Sequence, residues 1–144
     1  APLPGLTCWK STIKCGSVYY FADEKNLNNP EPHYFIVINN TPLKDKCLVL
    51  VCSTSQVDKA IRRRRNSPHT LVKISKTEYP AFTKDSIVDC NSVFENTVDG
   101  IVDLLQSRKL KHKPEMPIKI VKKLCNAVLA SPIVENRIKE ILKS

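Results

Sequence analysis

The stretches HYFIVIN (33–39) and CLVLVCS (47–53) decide the fold. Each is a short, near-continuous apolar run rich in β-branched and aromatic residues, which suits a strand better than a helix of that length. Runs apolar on both sides of the pleat belong in the middle of a sheet that is closed or covered. The polar segment NTPLKDK (40–46) between them reads as a connecting turn. Upstream, KCGSVYYFA (14–22) bends at Gly16 and then turns aromatic, predicting another strand, and NLNNPEP (26–32) is loop because Asn and Pro supply turn conformations. Downstream, TLVKIS (70–75) alternates, so one face is expected to meet water, and SIVDC (86–90) is a fifth short strand. Five short strands predict closure into a small SH3-like or OB-like barrel, which removes sticky edges.

Beyond residue 90 the hydrophobic period changes. Val98, Ile101, Val102 and Leu105 fall at helical spacing within 98–106, and Ile118, Val121, Leu124, Cys125, Val128 and Leu129 form a stripe within 117–130. The segment 131–144 reads as a further helix, with Ser131 as cap, Pro132 at the first position and Val134, Ile138, Ile141 and Leu142 continuing the pattern. The lysine-rich stretch 107–114 ends in a proline and is expected to be a flexible joint. The expected architecture is therefore α+β: a barrel over 1–94, then a helical extension over 95–144 that packs on the barrel or on a partner.

With 144 residues, 42% hydrophobic and 26% charged, the chain has an ordinary globular composition and wholesale disorder is excluded. Its 23 Lys and Arg against 14 Asp and Glu give a net charge of +9. A cationic surface concentrates polyanions, so nucleic acid is the leading partner class. An aromatic share of 6% argues against long ladders of stacked bases. The six cysteines form no CxxC pair, and Cys47, Cys52 and Cys90 sit in apolar runs. They are expected to be buried small hydrophobes in a reducing compartment, with no metal site and no cofactor. The opening APLPGLTCWK lacks a basic region followed by an apolar one, and no stretch approaches the roughly 20 apolar residues needed to span a bilayer. A cytoplasmic location without membrane attachment is expected.

Four places could carry chemistry. VCSTSQ (51–56) puts the hydroxyls of Thr54 and Ser55 at the end of a buried strand, where they can donate to a phosphate oxygen. The same residues also suit a simple helix cap. His33 opens a buried strand, where an imidazole could serve as acid or base near neutral pH, although such a histidine is also an ordinary surface residue. Arg62, Arg63, Arg64 and Arg65 offer forks for a phosphate backbone, or else a solvated charge run. Asp89 and Asn91 stand two apart on one strand face; the carboxylate could orient a histidine or accept a proton, or pair structurally with a lysine.

Taken in order, CGSVYYF (15–21), PHYFIVIN (32–39), LVCSTSQ (50–56) and SIVDCNSV (86–93) resemble landmarks of the PemK/MazF (Kid-like) toxin family over roughly residues 14–95. That resemblance implies a dimeric SH3-like barrel, an antitoxin as protein partner, and metal-independent cleavage of single-stranded RNA through attack of a ribose 2′-hydroxyl. It carries catalytic roles onto His33, Thr54 and Ser55; beside these, Asp89 is a catalytic candidate from its own chemistry, and Arg62 to Arg65, Lys84 and Asn91 are candidate RNA contacts. His33 stands where the family has an arginine before its strand. Ser17 replaces an early acid, Asp89 falls where some members carry a catalytic arginine, and Asn91 where they carry an aspartate. With that arginine gone, Lys84 or the arginines at 62–65 must supply the cation. The alternatives are a non-catalytic relative that binds nucleic acid, and an interaction module whose helical tail docks a partner.

Overall fold

A computed structural model of the chain describes residues 10–23 and 31–144. The two deciding runs become β2 (His33–Val37) and β3 (Cys47–Thr54), paired antiparallel with Phe35 opposite Cys52 and Val37 opposite Leu50. β1 (Val18–Phe21) joins the outer side of β2, and β5 (Ser86–Thr97) the far side of β3. β4 (Leu71–Ile74) lies beyond β5, and β6 (Lys111–Lys113) beyond β1. The result is one six-stranded antiparallel sheet in the order β4-β5-β3-β2-β1-β6.

A 3-10 turn at Pro68–Thr70 and five α-helices lie wholly within the described residues. The helices are α1 (Pro42–Asp45), α2 (Val57–Arg63), α3 (Val98–Gln106), α4 (Ile118–Ala130) and α5 (Asn136–Lys143). Strand alternation sends Tyr19, Phe21, Phe35, Val37, Leu48 and Leu50 to one face, where Ile101, Val102 and Leu105 of α3 cover them. Val18, Ile36, Ile38, Val49, Val51 and Val88 point to the other face, beneath Val121, Leu124 and Val128 of α4 and Ile138 and Leu142 of α5. Both sides of β2 and β3 are thus buried, which is why their sequences read as unbroken apolar runs. Each of these side chains contributes about 1.5–3 kcal/mol by leaving water.

The sheet is open, so the closed SH3-like barrel is not formed. A small barrel hides one face of each strand; this sheet has apolar side chains on both, and helices cover them instead of closure. Its edges are blunted by brevity, β4 having four residues, and by Lys111 and Lys113 on β6. β6 also corrects the flexible joint expected at 107–114, because Lys111, His112 and Lys113 pair with Tyr20, Tyr19 and Val18. A backbone ladder needs no apolar side chain, so this strand left no hydrophobic signature. The predicted fifth strand is longer than expected, running from Ser86 to Thr97, and the anticipated domain boundary between 94 and 95 falls inside it.

Helix prediction fares better where the period is long. The span 98–106 matches α3, and α4 starts one residue after Pro117. The last helix differs: Ser131 ends α4 instead of capping a new helix, Pro132 lies outside it, and α5 begins only at Asn136. The expected turn at 40–46 holds the single helical turn α1. Gly16 does bend the chain, at a φ of +92° that L side chains rarely adopt. Most of the loop expected at 26–32 lies outside the described residues. Among the described residues five cysteines are free, and no helix is long and apolar enough to cross a membrane.

Candidate functional site

Strand β2 begins at His33 and β3 ends at Thr54. The register of Phe35 opposite Cys52 puts both residues at the same end of the sheet. Two clefts meet there, and His33, Thr54 and Gln56 line both. The first, of about 360 Å³, is walled by Cys52, Lys59, Arg63, Asp89, Ser92 and Phe94. The second, of about 230 Å³, has Tyr20, Tyr34, Phe82, Ser55 and Lys84 among its walls.

Local chain geometry explains the first cleft. After β3, the Thr54 Oγ1 accepts a 3.1 Å hydrogen bond from the backbone N–H of Gln56, turning the chain into α2. Lys59 and Arg63 are four residues apart, hence on one face of that helix, and both reach the cleft. Across from them β5 bulges: the four residues 89–92 stand between the pairs Val51–Val93 and Ser53–Val88, opposite Cys52 alone. A bulge re-aims side chains. Here it brings Asp89 and Ser92 to the cleft and buries Asn91.

Hydrogen bonds then fix the roles. The Arg64 Nε donates to Asp89 Oδ2 at 2.9 Å, while Asp89 Oδ1 accepts from the Asn91 Nδ2 at 2.8 Å and from its backbone N–H at 3.1 Å. Burial alone would raise the Asp89 pKa, but the hydrogen bonds from Asn91 and Arg64 outweigh it and hold the carboxyl below its usual range. Asp89 is therefore an ionised anchor for α2, not a proton donor. Asn91 also donates to the Thr70 Oγ1 at 2.7 Å and accepts from the Ser131 Oγ at 2.6 Å. It is 8% exposed, and its amide ties Thr70, Asp89 and Ser131 together as an internal strut. The structural pairing expected for Asp89 is present, with an arginine where a lysine was anticipated.

His33 is the base candidate. Its Nδ1 lies 2.7 Å from the Glu31 carbonyl oxygen, which can only accept, so Nδ1 carries the hydrogen. In that tautomer the lone pair is on Nε2. Cys52 supplies no rival nucleophile, because burial and then the Asp23 charge push its thiol up to about 12.

Of the expected site residues, His33 and Thr54 stand at the junction, Arg63 and Asp89 in the first cleft, and Ser55 and Lys84 in the second. Arg64 is committed to Asp89. Arg62 and Arg65 are exposed and line neither cleft. Gln56, Lys59 and Ser92 were not anticipated. The i to i+4 spacing of Lys59 and Arg63 was the one available signal. Among the described residues no group of three or more His, Cys, Asp or Glu side chains could hold a metal ion. No known family model matches the chain, and no curated protein matches it in sequence.

Proposed function

We propose that this chain is an endoribonuclease that cleaves single-stranded RNA in the manner of the PemK/MazF-type toxins it resembles. The observation that carries the reading is the first cleft. The His33 imidazole, whose Nδ1 faces the Glu31 carbonyl, and Thr54 share it with Lys59 and Arg63. In this mechanism the His33 Nε2 takes the proton of a ribose 2′-hydroxyl as it attacks the adjacent phosphorus. Arg63 and Lys59 steady the charge on the non-bridging oxygens, and Thr54 donates to one of them. The departing 5′-oxygen takes its proton from the Lys59 ammonium. Arg63 thereby replaces the cation lost where Asp89 stands in the family's arginine position. Under this reading β1 to β5 correspond to the family's barrel strands, left open here, and the homodimer and antitoxin follow from the resemblance.

Purified protein incubated with mixed single-stranded RNA in EDTA should release fragments ending in a 2′,3′-cyclic phosphate. His33→Ala should lower the rate by about 10²-fold or more. RNA left intact at high protein concentration overturns the proposal, and a rate unchanged by His33→Ala removes that role from the imidazole. The commitment of Arg64 to Asp89 favours one second reading, a non-catalytic relative that holds RNA in the same cleft. Salt-sensitive binding without cleavage would establish it.

A further inference from the structure

Two of the cysteines that are free among the described residues converge on one atom. Cys15 lies just ahead of β1, and Cys125 lies on α4. The Cys125 Sγ donates to the Ile38 carbonyl oxygen at 3.1 Å, and the Cys15 Sγ donates to the same oxygen at 3.8 Å. Sulfurs that share an acceptor are neighbours, although these residues are far apart in sequence. The backbone holds them there. The Gly16 N–H donates to the Val37 carbonyl at 2.8 Å, and the Gly16 carbonyl accepts from the Met116 N–H at 2.9 Å. A Cβ built at Gly16 would lie 3.7 Å from Val121 Cγ2, so the bend rests against α4 one turn ahead of Cys125.

Cys52 and Cys90 differ. Each aims its thiol at a carbonyl close by in its own strand, Ser53 at 3.5 Å and Val88 at 3.9 Å. Burial, then the Asp89 and Cys125 charges, push the Cys90 thiol up to about 12, and that residue is sealed from solvent. Cys15 and Cys125 are only half-buried. Packing of small apolar side chains accounts for their burial, but not for two S–H groups on one acceptor. Burial, then the neighbouring Cys15, pushes the Cys125 thiol up to about 11, and burial raises Cys15 as well. Neither is a standing thiolate, so the pair does not suit fast attack on peroxides; its asset is proximity.

We propose that Cys15 and Cys125 are a redox pair, closing to a disulfide by exchange with a small disulfide such as oxidised glutathione and pinning α4 to the start of β1. This does not depend on the nuclease reading. One cysteine, as its thiolate, attacks a glutathione sulfur; the glutathione S–S bond breaks, and one glutathione leaves and takes up the proton. The second cysteine gives up its proton, attacks the protein sulfur of the mixed disulfide and releases the other glutathione. Two protein thiols are oxidised and one glutathione disulfide is reduced to two thiols. Closure takes both sulfurs off the Ile38 carbonyl to meet at about 2.0 Å, and because S–H is a weak donor little is lost. In a reducing compartment the same exchange runs backwards and the pair stays open.

The test incubates the full, native chain with excess oxidised glutathione, then alkylates it and digests it with trypsin without reduction. Cleavage at Lys and Arg places Cys15 in the peptide 15–25 and Cys125 in 124–137, whereas Cys90 falls in 85–108. Mass spectrometry should find 15–25 joined to 124–137, and dithiothreitol should separate them. The oxidised protein should show a Tm higher by about 5–15 °C, because the cross-link closes a loop of most of the chain. Cys125→Ala should remove both the joined peptide and the gain in Tm. Glutathione adducts without the joined peptide, a link from Cys90 to Cys125 in its place, no reaction at all, or joining only after urea is added each overturn the proposal. A joined peptide with an unchanged Tm overturns the pinning. The mapping arm uses the unaltered protein, so it stands even where Cys125→Ala does not fold.

Discussion

Asp89 shows how a single carboxylate is taken out of proton chemistry and given to positioning. Its two oxygens accept from Arg64 and Asn91, and only 13% of its side chain is exposed. Asp89→Asn keeps the shape but removes the charge that holds Arg64, and it should cost about 2 kcal/mol in denaturant unfolding at pH 7. The pH dependence has a definite sign. The folded pKa is lowered, so the unfolded chain takes up its proton first as pH falls. The stabilisation is present above the ordinary carboxylate value of about 3.9 and is lost as pH drops below it. Unfolding curves at pH 7 and pH 3 should therefore show the gap between wild type and Asp89→Asn shrinking at the lower pH. An unchanged gap would mean that the ion pair contributes nothing. His33 and Thr54 were legible as site candidates because each sits at the end of an apolar run, and register does the rest. The split between Asp89, which reaches the cleft, and Asn91, which does not, was illegible. It is produced by a four-residue bulge on β5 that no alternation pattern records.

At the scale of elements, α3 begins with a cap that constrains its neighbour. The Thr97 Oγ1 accepts a 2.9 Å hydrogen bond from the Gly100 N–H, and a Cβ added at Gly100 would lie 2.9 Å from that same oxygen. Replacing a helical glycine by alanine ordinarily gains up to about 1 kcal/mol. Here Gly100→Ala must displace the cap, which is itself worth about 1 kcal/mol, so thermal unfolding should show no net stabilisation. In a Thr97→Ala background the obstruction is gone and Gly100→Ala should stabilise. A clear rise in Tm for the single variant would show that the cap gives way freely. The span of α3 was readable because its nine residues carry a full amphipathic period. The three residues of β6 carry no period at all, and their strand state comes from the open edge of β1.

For the molecule as a whole, the question is whether the C-terminal helices are an appendage. Removing residues 108–144 strips Val121, Leu124, Val128, Ile138 and Leu142 from one face of the sheet and leaves Ile36, Ile38, Val49 and Val51 uncovered. At about 1.5–3 kcal/mol for each buried side chain, the loss matches the whole stability of an ordinary domain, about 5–15 kcal/mol. The truncated chain should lack cooperative unfolding by circular dichroism. A folded product would restore the idea of an independent barrel with a docking tail. The apolar runs at 33–39 and 47–53 said that both sheet faces are covered, but not by what. Closure and helical layers satisfy the same pattern, and the choice depends on contacts far apart in sequence. The hydrogen bond from Ser131 to Asn91 has a further consequence. Asn91 braces Asp89, Asp89 grips Arg64, and Arg64 steadies the helix that carries Arg63, so the cleft is tied to a segment translated well after its own walls. A nascent chain halted before residue 131 lacks that brace, so the cleft can settle into its final shape only after synthesis has passed that point.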